Sequence, residues 1–448
     1  MIKLNRHPRD LFTSALKVTC VRAVGIVLQT VVILYLARAF SLDDMGYLAI
    51  AFAILGLARM QGPLGLDQVA MRDISKALGE NDVEKAQAIS TTSLTFVLLA
   101  NTGFSLIGFV TLVLARQQIH LGIVDCAIAS LAILSFALNG LLAGQIRGFG
   151  KPLLAQAPDS IGLQTLFGLG LLGLHVFDQV HLSAVLIILT LASWSVTGIY
   201  LFCRRRTGIH ASFYPTRNDL WDLAKEGSKI SQALIFTHLS ARAPLLLSTP
   251  LLGPAATAVL EIATRFGTLS TVVTTSVAAT FSPRFAVLAE QSATDELRKT
   301  AYLAAALSFI PSILTLIGFT FIVPSLFGWL LPPAYAEAYV PLLIIAAASA
   351  LNGALAPASN ALIMAGRPDP VRLISFIRLF AIITFCVLLA APYGIVGMAW
   401  AIFLATLLRD GGLAIIAHLK LGKKPDSTEA SPGITNNRDG IPFERAPD

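Results

Sequence analysis

Twelve apolar stretches of about 20 residues run through this chain, and nothing else constrains its fold as tightly. They fall at 13–39, 46–70, 90–115, 121–143, 153–175, 181–203, 229–252, 255–281, 300–323, 338–364, 371–391 and 394–418. Each is long enough to cross the ~30 Å hydrocarbon core of a bilayer. Where no water reaches a backbone amide, such a segment satisfies itself as a helix. The residues are 55% hydrophobic and 13% charged, against about 25% charged in soluble domains, so no soluble core could bury them. The expected fold class is an all-α polytopic membrane protein.

Turn formers and charges mark the joins: Ser41-Leu42-Asp43-Asp44, Gly150-Lys151-Pro152, Pro332-Pro333 and Pro392-Tyr393-Gly394. With the N-terminus placed in the cytoplasm, the cytoplasmic side holds 22 Lys and Arg as far as Lys424, whereas the outside loops hold Arg38 and Arg116 alone. Cationic loops stay on the cytoplasmic side. That asymmetry puts both termini inside, requires an even helix count, and accounts for the net charge of +7 without a nucleic-acid partner. The start, MIKLNRHPRD, resembles a signal n-region, but the apolar stretch behind it is too long for one and reads as an uncleaved first helix. Cys20, Cys126, Cys203 and Cys386 lie scattered, which argues against disulfides and zinc and for buried free thiols.

Landmarks recur between the two halves. Gly150-Lys151-Pro152 returns as Gly366-Arg367-Pro368 at an offset of 216, Arg22 as Arg242 at 220, Arg59 as Arg265 at 206, and Arg72 as Arg284 at 212. The run NDVEKAQ at 81–87 has a counterpart in TDELRKT at 294–300. The expected organisation is therefore a six-helix bundle over 1–203, a cytoplasmic linker over 204–228 with an amphipathic surface helix at 218–225, a second six-helix bundle over 229–420, and a disordered tail over 421–448. Six helices per repeat make the repeat parallel, and two-bundle transporters of this kind bind cargo between the halves.

Four arginines, Arg22, Arg59, Arg242 and Arg265, stand 9 to 13 residues into their spans, near mid-depth at 1.5 Å per residue. Each costs roughly 3 kcal/mol at the centre of a bilayer, on the order of 10 kcal/mol together. Such charges persist where they face a watered cavity, and a cationic cavity holds an anion. Helical spacing aligns Arg22 with Gly25 and Gln29, Arg242 with Ser231 and His238, and Arg265 with Glu261, Thr268, Thr271 and Thr275. In the second span Gly56, Arg59, Gly62 and Pro63 suggest small residues beside a kink. Glu261–Arg265 is an (i, i+4) pair and can neutralise itself, and Asp67 lies two turns from Arg59, too far to pair along the helix. The four arginines are the candidate substrate contacts, and Gln29, His238, Glu261 and Asp67 the candidate coupling or polar positions. Lys17 and Arg378 are expected to snorkel, and Arg409-Asp410 to form a buried pair or a coupling site. No Walker A pattern, HExxH or nucleophile elbow occurs. The histidines are scattered, no metal site is read, no cofactor is required, and the chain is not expected to be an enzyme.

These features resemble the flippases of polysaccharide-precursor lipids, O-antigen flippases among them, in the multidrug/oligosaccharidyl-lipid/polysaccharide (MOP) exporter superfamily. The residues that carry the likeness are Gly46-Tyr47, Gly65-Leu66 and Arg72-Asp73-Ile74 around the second helix, Leu252-Gly253-Pro254 before the eighth, and the Gly-Lys/Arg-Pro loops. The chain departs from the pattern at Ala255-Ala256-Thr257-Ala258, where the family often has an aromatic. The resemblance implies a carrier of an undecaprenyl-diphosphate-linked oligosaccharide (an O-antigen, capsule or exopolysaccharide unit) across a bacterial inner membrane by alternating access. It also implies contact with membrane lipids, a polysaccharide polymerase and a chain-length regulator. The rival expectations are a cation-coupled multidrug exporter of the same superfamily and a non-transporting scaffold. Cationic drugs would call for a mid-depth carboxylate in the first half, where Asp67 is read as the deepest acid.

Overall fold

The computed structural model describes residues 8–119, 122–206, 217–269, 271–291, 294–364 and 369–420. Gly366-Arg367-Pro368, residues 207–216 of the linker and the tail 421–448 lie outside the described residues. The helices are α1 (Pro8–Ala39), α2 (Leu42–Gln61), α3 (Leu66–Gly79), α4 (Val83–Ile119), α5 (Ile123–Gly148), α6 (Pro152–Ala157), α7 (Leu163–Val176), α8 (Leu182–Arg206), α9 (Arg217–Leu252), α10 (Pro254–Gly267), α11 (Thr271–Glu290), α12 (Thr294–Leu330), α13 (Tyr339–Met364), α14 (Asp369–Thr406) and α15 (Gly412–Lys420). Two π segments, Pro158–Gly162 and Leu407–Gly411, join α6 to α7 and α14 to α15. Among the described residues the helices line up as twelve rods, with α2–α3, α6–α7 and α10–α11 as broken rods and α14 divided at Gly394, whose φ is 56°. Eight described segments are long and apolar enough to span a membrane by length and composition alone, in keeping with an all-α polytopic membrane protein.

Local chemistry sets the breaks. Ser41 caps α2, its side chain accepting from the Asp44 amide at 3.2 Å, and Asp43 and Asp44 sit in the first turn, where the helix dipole favours anions. Pro152 and Pro254 open α6 and α10, at the position where a missing amide hydrogen costs nothing. The eighth rod breaks after Gly267. Thr268 Oγ1 donates to the Thr264 carbonyl at 2.7 Å and Thr271 Oγ1 to the Thr268 carbonyl at 2.6 Å, so hydroxyls compete for the groups a continuous helix would use. The polar stripe expected from Glu261 to Thr275 therefore divides between two helices. Residues 218–225, expected to form a separate surface helix, continue without a break into the seventh rod as part of α9. Of the cysteines expected to be buried, Cys126 and Cys386 are, Cys203 is half-buried and Cys20 is exposed.

Core packing differs between the two ends of the molecule. At the end carrying Arg38, one apolar core runs through Val32–Leu36, Met45 and Leu48 from the first rods and through Leu260, Ala263, Phe327 and Leu342 from the later ones. There Arg38 Nε donates to the Leu330 carbonyl at 2.7 Å and Arg38 also donates to the Trp329 carbonyl. At the opposite end the apolar clusters separate, with Leu66, Val69, Leu134 and Leu138 in one and Phe285, Leu297, Ala361 and Leu413 in another. Along the rods α1 packs on α2, α6 and α7, α11 packs on α12 and α13, and no substantial packing joins α1 to α11 among the described residues. What spans this end is the seam of α2 and α3 with α9.

One glycine makes that seam close, and a second sets the approach of α2 to α10 at the other end. Gly65 has φ of 79°, open to glycine without strain, and a Cβ there would stand 2.3 Å from the Gly227 carbonyl oxygen. Gly46 meets the first turn of α10, where an added Cβ would lie 1.9 Å from the Pro254 carbonyl oxygen. Gly46→Ala is expected to lower stability by about 1–3 kcal/mol through overpacking. A thermal unfolding midpoint unchanged from wild type would refute so tight a contact.

Candidate functional site

The site is built where α2, α3 and α5 face α9. A cavity of about 770 Å³ opens there, lined by Arg59, Asp67, Gln68, Arg147, Lys229 and His238, with Met60, Gly140, Ile230 and Leu234 between them. Its volume lies within the ~300–1,000 Å³ of small-molecule sites. Cationic side chains outnumber acidic ones on its wall. Ser231, His238 and Arg242 all face α2: Ser231 Oγ donates to Gln61 Oε1 at 3.2 Å, His238 Nδ1 lies 2.6 Å from Gln61 Nε2, and a Cβ on Gly56 would lie 3.1 Å from Arg242 Nη2. Gln61, which joins two of these contacts, carried no signal in the sequence beyond being polar at a helix end.

The four mid-depth arginines meet different fates. Arg59 is ion-paired with Asp159, 100 residues away in sequence. Asp159 sits in the first π segment and is nine-tenths buried, and its Oδ2 also lies 2.7 Å from the Tyr200 hydroxyl. Its Oδ1 is buried and has no partner among the described residues. Arg265 binds Glu261, with Nη2 and Nε at 2.5 and 3.1 Å from one carboxylate oxygen. Arg242 lies within electrostatic reach of both Glu261 and Arg265, yet among the described residues it has no ion pair of its own, and neither does Arg22.

The structure thus brings Arg59, Asp67 and His238 to one cavity and sets Arg242, Glu261 and Arg265 beside it. His238 and Arg242 are one turn apart on α9, as are Gly56 and Arg59 on α2, so the two groups are contiguous. Asp67 accepts from Gln68 Nε2 at 2.7 Å within the cavity wall. Arg22 is exposed and Gln29 half-buried on α1, and neither lines this cavity. The expectation that all four arginines serve one chamber is corrected for Arg22, which has no place on its wall, and two of the others are neutralised by carboxylates.

Sequence reading passed over Asp159, an acid six residues into the span 153–175. The available signal was Pro158-Asp159 inside an apolar run, where a proline loosens the helix and an aspartate demands a partner. Asp67 is therefore not the deepest acid of the first half. Arg147 and Lys229 were read only as loop cations, yet both turn into the cavity.

No family model and no curated protein matches the chain by sequence. Solved structures do match by shape. An inward-facing multidrug resistance MATE family transporter of the MOP superfamily superposes with a TM-score of 0.75 at 12% identity, over 90% of this chain and 94% of that one. An outward-facing MATE family transporter gives 0.62 at 14% identity, over 91% and 95%. The MATE multidrug transporter DinF-BH, solved in complex with R6G, gives 0.64 at 17% identity, over 95% and 99%. At these identities the likeness concerns architecture, and the chain has the all-helical, multi-pass membrane fold of the MATE transporters of the MOP superfamily.

Proposed function

We propose that this protein carries an anionic, polyprenyl-diphosphate-linked oligosaccharide across a bacterial inner membrane by alternating access. The observation that carries the reading is the cationic chamber, lined by Arg59, Arg147 and Lys229, with Arg242 one turn from His238 and holding no carboxylate of its own among the described residues. A guanidinium offers a planar fork of donors that matches phosphate oxygens. The hydrophilic headgroup would cross between the halves while the polyprenyl tail stays in lipid. The chamber lies towards the end that the Lys and Arg bias assigns to the cytoplasm, and the shared apolar core closes the other end, which suits loading from the inside. Rocking about the α2–α9 seam would then expose the chamber to the outer leaflet.

One observation favours a second reading, export of organic cations. Asp159 supplies the buried first-half carboxylate that such cargo needs, and fold neighbours are described as multidrug transporters. Proteoliposomes separate the two. The purified chain is expected to translocate a fluorescent polyprenyl-diphosphate glycan and to leave a lipophilic organic cation untransported. Reversing the chamber charge with Arg147→Glu and Lys229→Glu together is expected to cut glycan translocation at least about ten-fold, the loss of one charge-assisted contact or more. Cation transport without glycan transport would reverse the assignment.

A further inference from the structure

The second half holds a charged cluster that the chamber does not use. Asp410 is 1% exposed and lies in the π segment Leu407–Gly411 between α14 and α15. The wide π turn inserts an extra residue, and such turns gather at functional sites. Both π segments among the described residues carry a buried aspartate bound to an arginine: Asp159 with Arg59, and Asp410 with Arg409.

The donor and acceptor inventory of the second cluster is lopsided. Both oxygens of Asp410 are engaged, Oδ1 by Arg409 Nη1 at 2.6 Å and Oδ2 by Asn352 Nδ2 at 2.7 Å. A second cation, Arg378 on α14, lies within electrostatic reach of Arg409 and Asp410. Expected from sequence to snorkel, it is instead half-buried, and among the described residues it has no ion pair. Among the described residues two atoms of this cluster are left buried and without a partner, Arg378 Nε and Arg409 Nε. Both are donors. Two guanidinium groups share one carboxylate, so a single positive charge remains uncompensated about ten residues into α14, roughly 15 Å along the helix.

This imbalance selects the ligand class. A cation would find no free carboxylate oxygen, and a water could accept from an Nε–H group but would leave the charge in place. An anion meets both needs, because buried charges persist when paired and hydrogen-bonded. The surplus is one charge, so the ion is monovalent. The surroundings are apolar and close, with Leu413 fully buried beside Ile374, whose Cδ1 would lie 3.3 Å from a Cβ on Gly412, so the ion is small. We propose that Arg378 and Arg409, with Asp410 and Asn352 setting the arginine geometry, form a binding site for a halide-sized anion inside the second half, separate from the cargo chamber. The proposal does not rest on the identity of the cargo.

The test is thermal unfolding of the purified full-length chain in sodium bromide against sodium gluconate at equal ionic strength. At bromide ten times its dissociation constant, linkage predicts a rise in the midpoint of roughly 1–2 °C for wild type. Arg378→Gln removes one donor and the surplus charge, and is expected to abolish the rise. Asp410→Asn acts in the opposite direction: removing the neighbouring negative charge is expected to tighten bromide binding about ten-fold or more. A wild type indifferent to bromide overturns the proposal, as does Arg378→Gln with its shift intact. If Arg378→Gln yields no folded protein, Asp410→Asn decides alone, and an unchanged or smaller bromide shift in that variant rejects the site.

Discussion

Replacing Arg242 by alanine is expected to abolish surface display of the lipid-linked glycan in a complemented strain while the protein remains at its wild-type level in the membrane. The expected size follows from what the side chain does. Arg242 has no ion pair among the described residues and faces Gly56 across the seam, so its removal strands no carboxylate and opens no large apolar cavity. Stability is thus expected to change little. Loss of one or two charge-assisted hydrogen bonds to a phosphate costs about 1.5–3 kcal/mol each, or ten-fold to over a hundred-fold in translocation. Arg242→Lys keeps the charge but not the fork, and is expected to retain a fraction of the activity. Wild-type glycan display from Arg242→Ala at equal expression would remove Arg242 from the headgroup site.

Asp159→Asn is expected to act on the fold before it acts on transport. The substitution leaves Arg59 without its carboxylate and Tyr200 facing an amide. Removing one partner of a buried pair costs about 3–5 kcal/mol. The lower end, about 3 kcal/mol, applies because Arg59 keeps 33% of its side-chain surface exposed. The double variant Arg59→Met/Asp159→Leu replaces the pair by apolar groups and is expected to recover most of the loss, because a buried pair contributes little over a hydrophobic replacement. Unfolding midpoints of the single and double variants check this. A single variant as stable as wild type would mean that Arg59 and Asp159 are not coupled in the folded protein.

These two arginines mark how far the sequence was legible. The depth of Arg59 and Arg242 in apolar spans could be counted residue by residue, and the (i, i+4) pairing of Glu261 with Arg265 followed from helical geometry alone. The partner of Arg59 could not be found that way, because Asp159 is 100 positions distant and only the tertiary fold carries the Arg59 side chain across to the first π segment. Arg22 matched the others in depth, and counting along the chain could not tell that it is exposed on α1 and absent from the lining of this cavity. The break after Gly267 was hidden because threonines serve a helix and its interruption equally well, and the choice depends on which carbonyl each hydroxyl finds.

Hydropathy and charge placement, both short-range properties of the chain, were enough to specify helices and a membrane, and to set an expected count of twelve crossings and an expected sidedness, because each crossing must satisfy its own backbone and cover its own length of lipid. Tertiary structure alone decided which buried cations are neutralised and which are left to act. Coulomb attraction falls with distance through space, and distance through space between rods is set by packing at glycines such as Gly46 and Gly65 and by π turns such as those at Asp159 and Asp410.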